Sequence, residues 1–180
     1  MRVLIMAARW PSLVAAVFAL SLPAAGPASA DGGPPDTTPT CPRGQVWDSR
    51  TQRCVQAQSG VLPDKALAEY AYTLAKAERY SEALSVLDLL RDRNTPQALN
   101  YRGYATRKLG RIDEGIGYYQ AALKLDPRYA QVREYLGEAY VSKGDMARAN
   151  EELRAIEAIC GTGCEEYQDL AKAIADGARG

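Results

Sequence analysis

The sequence predicts an all-α protein, an array of antiparallel helix pairs stacked side by side behind an export leader and a short cysteine-closed module. Three observations predict it. In Tyr135 to Ala149, Tyr-Leu-Gly-Glu-Ala-Tyr-Val-Ser-Lys-Gly-Asp-Met-Ala-Arg-Ala, small and bulky apolar residues fall where two antiparallel helices must touch. The same arrangement recurs at Tyr101 to Pro127 and more loosely at Asp64 to Leu90, and self-similarity at about 34 residues marks stacked helical repeats. Helical periodicity also runs almost unbroken from Pro63 toward the C-terminal end.

Residues 1–30 read as a leader. Arg2 and Arg9 precede an apolar run from Leu13 to Leu22, and a stretch of small residues then ends in Ala28-Ser29-Ala30, the pattern of a secretory signal cleaved after Ala30. The run is interrupted by Pro11 and Pro23 and falls short of the roughly 20 residues a spanning helix needs, so no stable membrane anchor is expected after cleavage. Thr38-Pro39-Thr40-Cys41 lacks the apolar and small residues that precede a lipid-modified cysteine. The expected location is periplasmic or secreted, and the absence of an N-x-[ST] sequon fits a bacterial envelope protein.

Without the leader, 150 residues carry 20 basic and 22 acidic side chains, a net charge of −2. Nothing in that balance asks for nucleic acid. The same residues hold one Trp, no Phe, no His and all eleven Tyr. Lack of an imidazole excludes Ser-His and Cys-His nucleophiles, ordinary His-based metal sites and C-x-x-C-H haem attachment. No catalytic residue, metal or cofactor is therefore expected.

In chain order, residues 31–40 (Asp-Gly-Gly-Pro-Pro-Asp-Thr-Thr-Pro-Thr) have neither apolar residues nor periodicity and read as a flexible linker. Residues 41–60 form a small module and its linker, in which Val46-Trp47 forms a short strand and Asp48-Ser49 turns back toward Cys54-Val55. A disulfide would supply most of the order there, about 3 kcal/mol for a loop of that size. All four cysteines (Cys41, Cys54, Cys160, Cys164) lie in the exported part, where thiols oxidise. Three connectivities exist in principle, and local pairing of Cys41 with Cys54 and of Cys160 with Cys164 is the economical one.

Helices are read at 64–77, 80–92, 97–109, 112–125, 128–143, 146–159 and 165–176, three pairs plus one. Pro63-Asp64 suits a first helical turn. Gly110 and Gly144 lie just past a helix, where a left-handed backbone ends it. Asp126-Pro127 separates the second pair from the third, with the proline expected to open the next helix. Gly103 is expected to face Gly115, and Gly137 to face Ala149, so that the helices of a pair approach closely.

These residues carry a resemblance: residues 61–159 look like three tetratricopeptide repeats, at about 64–95, 96–127 and 128–159. In the third, Leu136, Gly137, Tyr140, Gly144-Asp145, Ala149, Leu153 and Ile156 stand at the family's packing positions. The second matches at Gly103, Gly110, Gly115, Tyr119, Ala122 and Pro127, with Arg102 and Thr106 as departures. In the first, Leu67, Ala71, Leu74, Ala83, Leu87 and Leu90 are in place but the turn has no Gly, and the spacing slips from 34 residues (Gly115 to Ala149) to 32 (Ala83 to Gly115). The resemblance implies a right-handed superhelical array with a polar-faced cap at each end. Residues 160–180, a Cys-Gly turn and a helix with Tyr167, Leu170, Ala171 and Ile174 on one side and Glu166, Asp169 and Lys172 on the other, fit that C-terminal cap.

The resemblance also implies a concave groove, lined by the first helix of each pair, that binds an extended peptide or a partner protein. Projected onto this chain, the groove residues are Lys65, Tyr72, Lys76, Asn100, Tyr104, Arg107, Lys108, Glu134 and Glu138. Tyr70, Tyr101 and Tyr135 read as packing residues. The expected function is a non-catalytic scaffold or adaptor of the bacterial cell envelope. Two alternatives from other classes are a thiol-disulfide protein using Cys160 and Cys164, and a glycan binder using Trp47. Dimerisation through an uncapped first repeat stays open as well.

Overall fold

A computed structural model describes residues 38–178. The leader and most of the linker lie outside the described residues. Two short strands, β1 (Gln45–Asp48) and β2 (Arg53–Gln56), precede seven helices: α1 (Asp64–Lys76), α2 (Tyr80–Leu87), α3 (Pro96–Lys108), α4 (Ile112–Leu125), α5 (Ala130–Ser142), α6 (Met146–Cys160) and α7 (Glu165–Gly177). Consecutive helices pair as α1/α2, α3/α4 and α5/α6, and the first helices α1, α3, α5 and α7 lie in a row, each packed on the next.

The three turns inside the pairs share one geometry. Arg79, Arg111 and Asp145 each donate a backbone N–H to the carbonyl five residues back, on Leu74, Thr106 and Tyr140. That closure requires the preceding residue to take a positive φ. Gly110 (83°) and Gly144 (74°) do so without a Cβ penalty, and in the first turn Glu78 takes the same place at 60°.

Close approach within the pairs differs in part from expectation. A Cβ on Gly115 would lie 3.0 Å from the Gly103 carbonyl oxygen, so α3 and α4 do meet at these two glycines, while Gly103 also leaves room for the Tyr119 ring. Gly137 makes its tightest approach outside its own pair. A Cβ there would meet Leu170 of α7 at 2.5 Å, so its missing side chain admits the next helix of the row. Leu170 is fully buried as a result, a contribution of about 2 kcal/mol.

Two helix ends move for identifiable reasons. α2 stops at Leu87, five residues before the sequence reading, because the Asp64 carboxylate accepts the backbone N–H groups of Arg91 (3.2 Å) and Asp92 (2.8 Å) and bends the chain. Pro127 does not open α5. It sits in a turn whose carbonyl accepts from the Arg133 guanidinium, and the helix begins at Ala130. Prolines do stand at two other helix starts: Pro63 at the cap of α1, and Pro96 opening α3 behind a Thr95 cap that accepts from the Ala98 N–H at 3.1 Å.

β1 and β2 pair antiparallel, with Val46 opposite Val55 and Trp47 opposite Cys54, and a Cys41–Cys54 disulfide closes the hairpin. Too small for its own core, it uses that of the first pair. Val46 and Cys41 are buried, the Cys41 N–H donates to the Tyr70 hydroxyl at 2.6 Å, and Arg79 donates to the Cys41 carbonyl at 2.8 Å. Trp47 is half-buried against the same core. The first pair therefore carries the hairpin on its own core.

Candidate functional site

The row of first helices brings four tyrosines together. Tyr72 of α1 stacks on Tyr101 of α3 with centroids 4.5 Å apart and meets Tyr104 edge-on at 6.0 Å; Tyr104 in turn lies 5.1 Å from Tyr135 of α5. The hydroxyls of Tyr72 and Tyr135 are hydrogen-bonded at 2.9 Å across 63 residues of sequence. Helical spacing explains the grouping, since Tyr101 and Tyr104 are three apart on one helix and share a face.

Cations rim this aromatic floor. Lys76 Nζ lies 6.0 Å from the centroids of both Tyr72 and Tyr104, Lys108 Nζ 5.4 Å from Tyr104, and the Arg107 guanidinium 5.9 Å from Tyr104. At such distances ring and cation attract, by about 0.5–1 kcal/mol where exposed. Arg107 is also bound to the Glu138 carboxylate and donates to the Tyr119 hydroxyl at 3.4 Å. Burial comes first among the causes that push Tyr101 and Tyr119 up to about 12 and raise Tyr135 further, so all three are neutral donors at ordinary pH.

Toward α7 the character changes. Glu134 is buried, and burial first, then the carboxylates of Glu138, Asp169, Glu166 and Glu165, pushes it up to about 9. The row of first helices thus runs from a basic, aromatic stretch on α1 and α3 to an acidic one on α5 and α7.

Of the nine residues projected onto the groove, Tyr72, Lys76, Tyr104, Arg107, Lys108 and Glu138 form one connected cluster, with Glu134 beside it. Lys65 lies apart, exposed and paired with Glu69 at 3.8 Å. Asn100 is sealed: its Nδ2 donates to Gln131 Oε1 at 3.0 Å, and its Oδ1 is buried without a partner among the described residues. It ties α3 to α5 and presents no atom to a ligand.

Sequence reasoning missed two sets. Tyr101 and Tyr135 pack as expected, yet they also build the aromatic floor. The acids of α7 were read as the outward face of a cap, whereas Glu166 and Asp169 are partly buried toward α5. A signal existed, because a step of 34 residues from Leu136 lands on Leu170 and from Tyr140 on Ile174. α7 packs on α5 as the next helix of the row of first helices.

Other candidates are weaker. Cys160 and Cys164 are joined in a disulfide, and Glu166 lies near both sulfurs; bonded to each other, the sulfurs offer no thiolate to a metal. A cleft of 320 Å³ lies between the hairpin and the first pair, lined by Arg43, Ala57, Leu74, Glu82, Val86 and Leu89 among others.

Comparison with known proteins follows this geometry. The family model of the tetratricopeptide repeat matches residues 69–127 and 102–163, together more than half of the chain. No curated protein matches the sequence. Among solved structures, the Yersinia enterocolitica type III secretion translocator chaperone SycD is similar at a TM-score of 0.56 and 17% identity, covering 64% of this chain and 83% of that one. MamA is similar at 0.54 and 21%, covering 64% and 68%. The first TPR of Spaghetti (RPAP3), bound to the HSP90 peptide SRMEEVD, is similar at 0.54 and 16%, covering 68% and 98%.

Proposed function

The chain belongs to the tetratricopeptide repeat family, and on that premise we propose that it is a non-catalytic adaptor that holds an extended peptide segment of a partner protein in the groove of α1, α3, α5 and α7. The observation that carries this reading is the tyrosine floor with its rim of Lys76, Arg107 and Lys108 on one side and Glu134 and Glu138 on the other. Stacking an array needs apolar side chains; it does not need phenols and cations gathered on the concave side. Rigid aromatic surface with adaptable polar rims is what peptide recognition uses.

Two similar structures hold peptides, one of the translocator YopD on SycD and one of HSP90 on RPAP3, and both support the reading for this groove. The absence of histidine and the bonding of all four cysteines support a role without catalysis. We place the protein in the bacterial envelope, with residues 1–30 as its cleaved leader and its three pairs wound right-handed.

The test is photo-crosslinking in cells from position 108, since Lys108 is exposed beside the floor whereas Tyr104 is buried. A captured partner that is lost on Lys76→Glu, but kept on Lys65→Glu, supports the assignment. Capture indifferent to the Lys76 reversal would overturn it.

A further inference from the structure

The acidic end of the groove holds a side chain that packing does not explain. Glu134 is 7% exposed, and among the described residues no hydrogen-bond donor or cation reaches its carboxyl. The charged groups that surround it are carboxylates: Glu138 one turn along α5, and Glu165, Glu166 and Asp169 on α7. Leu170 seated over Gly137 holds α7 close against α5 beside these acids. Glu165 and Glu166 have an ordinary reason to be there, as acids in the first turn of a helix. Glu134 lies past the first turn of α5 and has none. Its carboxyl oxygens keep contact with solvent, since the buried side-chain atoms without a partner among the described residues are those of Asn100 and Thr106. A carboxyl this covered and ringed by acids is nonetheless costly to ionise, and a glutamine would fill the same space without that cost.

The missing partner is a cation, and its kind can be narrowed. A chelated metal ion needs several ligand atoms converging on one point. Among the described residues the one set of three ligand-type side chains within 4.8 Å of each other is Cys160, Cys164 and Glu166, and its sulfurs are bonded together. The carboxyls around Glu134 are more spread, a spacing that suits a guanidinium or an ammonium on an apolar stem. Arg107 already neutralises Glu138, which leaves the acids nearer α7 for such a cation.

We propose that the recess between α5 and α7, with Glu134 at its floor and Glu138, Glu166 and Asp169 around it, takes the side-chain cation of an arginine or lysine in the partner peptide. This rests on the groove being the peptide site, and the experiment separates the two. N-acetyl-argininamide and its uncharged counterpart N-acetyl-citrullinamide are titrated into the 15N-labelled protein. In parallel, positional-scanning decapeptide pools with Arg, Lys, Gln or Glu fixed at each position are measured for binding.

Argininamide should shift amides of α5 and α7 and citrullinamide should not. Pools with Arg or Lys at one position should bind about tenfold tighter than those with Gln there, and the preference should vanish in Glu134→Gln. Asp169→Asn, at a more open position, should reduce it several-fold and keeps the test valid if Glu134→Gln perturbs folding. Pools that bind equally well with or without a basic residue would overturn the cation recess and leave the groove standing. If no pool binds, the groove reading falls, and argininamide then decides the recess alone: silent α5 and α7 amides end it. Micromolar CaCl2 displacing argininamide would overturn it in favour of a metal.

Discussion

Replacing Glu134 with glutamine should stabilise the protein, and only at the alkaline side. In the unfolded chain this carboxyl titrates near 4.5, whereas burial and the surrounding acids push it up to about 9 in the fold. Between those values the folded protein keeps a proton that the unfolded chain has released. Stability contributed by the protonated carboxyl is therefore complete below pH 4.5 and is lost as pH rises toward 9. The ceiling is about 1.4 kcal/mol per pH unit, or about 4 kcal/mol from pH 5 to 8. Residual solvent access and relaxation of the four neighbouring carboxyls reduce this to about 2 kcal/mol. Glutamine keeps the volume and the neutral state at every pH. Thermal unfolding followed by circular dichroism at pH 5, 6.5 and 8 should show Glu134→Gln matching the parent at pH 5 and exceeding it by about 5–8 °C at pH 8. The difference between the two proteins is the readout, since acids common to both cancel. Equal Tm differences at pH 5 and pH 8, or a variant less stable at pH 8, would refute the reasoning.

Three further outcomes follow from the packing. Glu78→Gly should stabilise the fold by about 0.5–1 kcal/mol, because Glu78 takes the positive φ that Gly110 and Gly144 supply in the other turns; chemical denaturation reads it, and a loss of stability contradicts the turn assignment. Gly137→Ala should cost about 1–3 kcal/mol, since its new methyl would lie 2.5 Å from Leu170, and Leu170→Ala in the same chain should remove most of that added cost in a double-mutant cycle. Tyr72→Phe should cost about 1 kcal/mol by leaving the buried Tyr135 hydroxyl without its partner, and unchanged denaturation midpoints would show that the bond carries nothing.

Helix pairs, turns and disulfide partners were legible because they depend on local patterns: glycines after helices, a small residue every repeat, cysteines close in sequence. The end of α2 was not, because it is set by Asp64 reaching the backbone of Arg91 and Asp92 from another helix. Pro127 misled for a related reason, as its carbonyl is held by Arg133 in a turn that proline statistics do not encode. For the site, register alone gathered most of the aromatic and basic residues onto one side, yet it could not tell a presented side chain from a sealed one. Asn100 and Tyr104 share a helix face with Lys108, and only the neighbouring helices decide that the first two are covered. The pattern of α7 alone does not show that Leu170 seats over Gly137, nor that the acids of α7 lie toward Glu134 of α5.

The Tyr72–Tyr135 bond bears on how the array unfolds. In a linear stack each unit couples only to its neighbours, so the ends can fray while the middle persists. A hydroxyl pair joining α1 to α5 ties the first pair to the third over the top of α3. Melting the first pair then strips a buried group of the third of its partner, and the two come apart together. The stack behaves as a closed loop in its energetics while remaining open in its topology, and amide exchange in α1 and α5 should converge on one opening free energy that Tyr72→Phe splits into two.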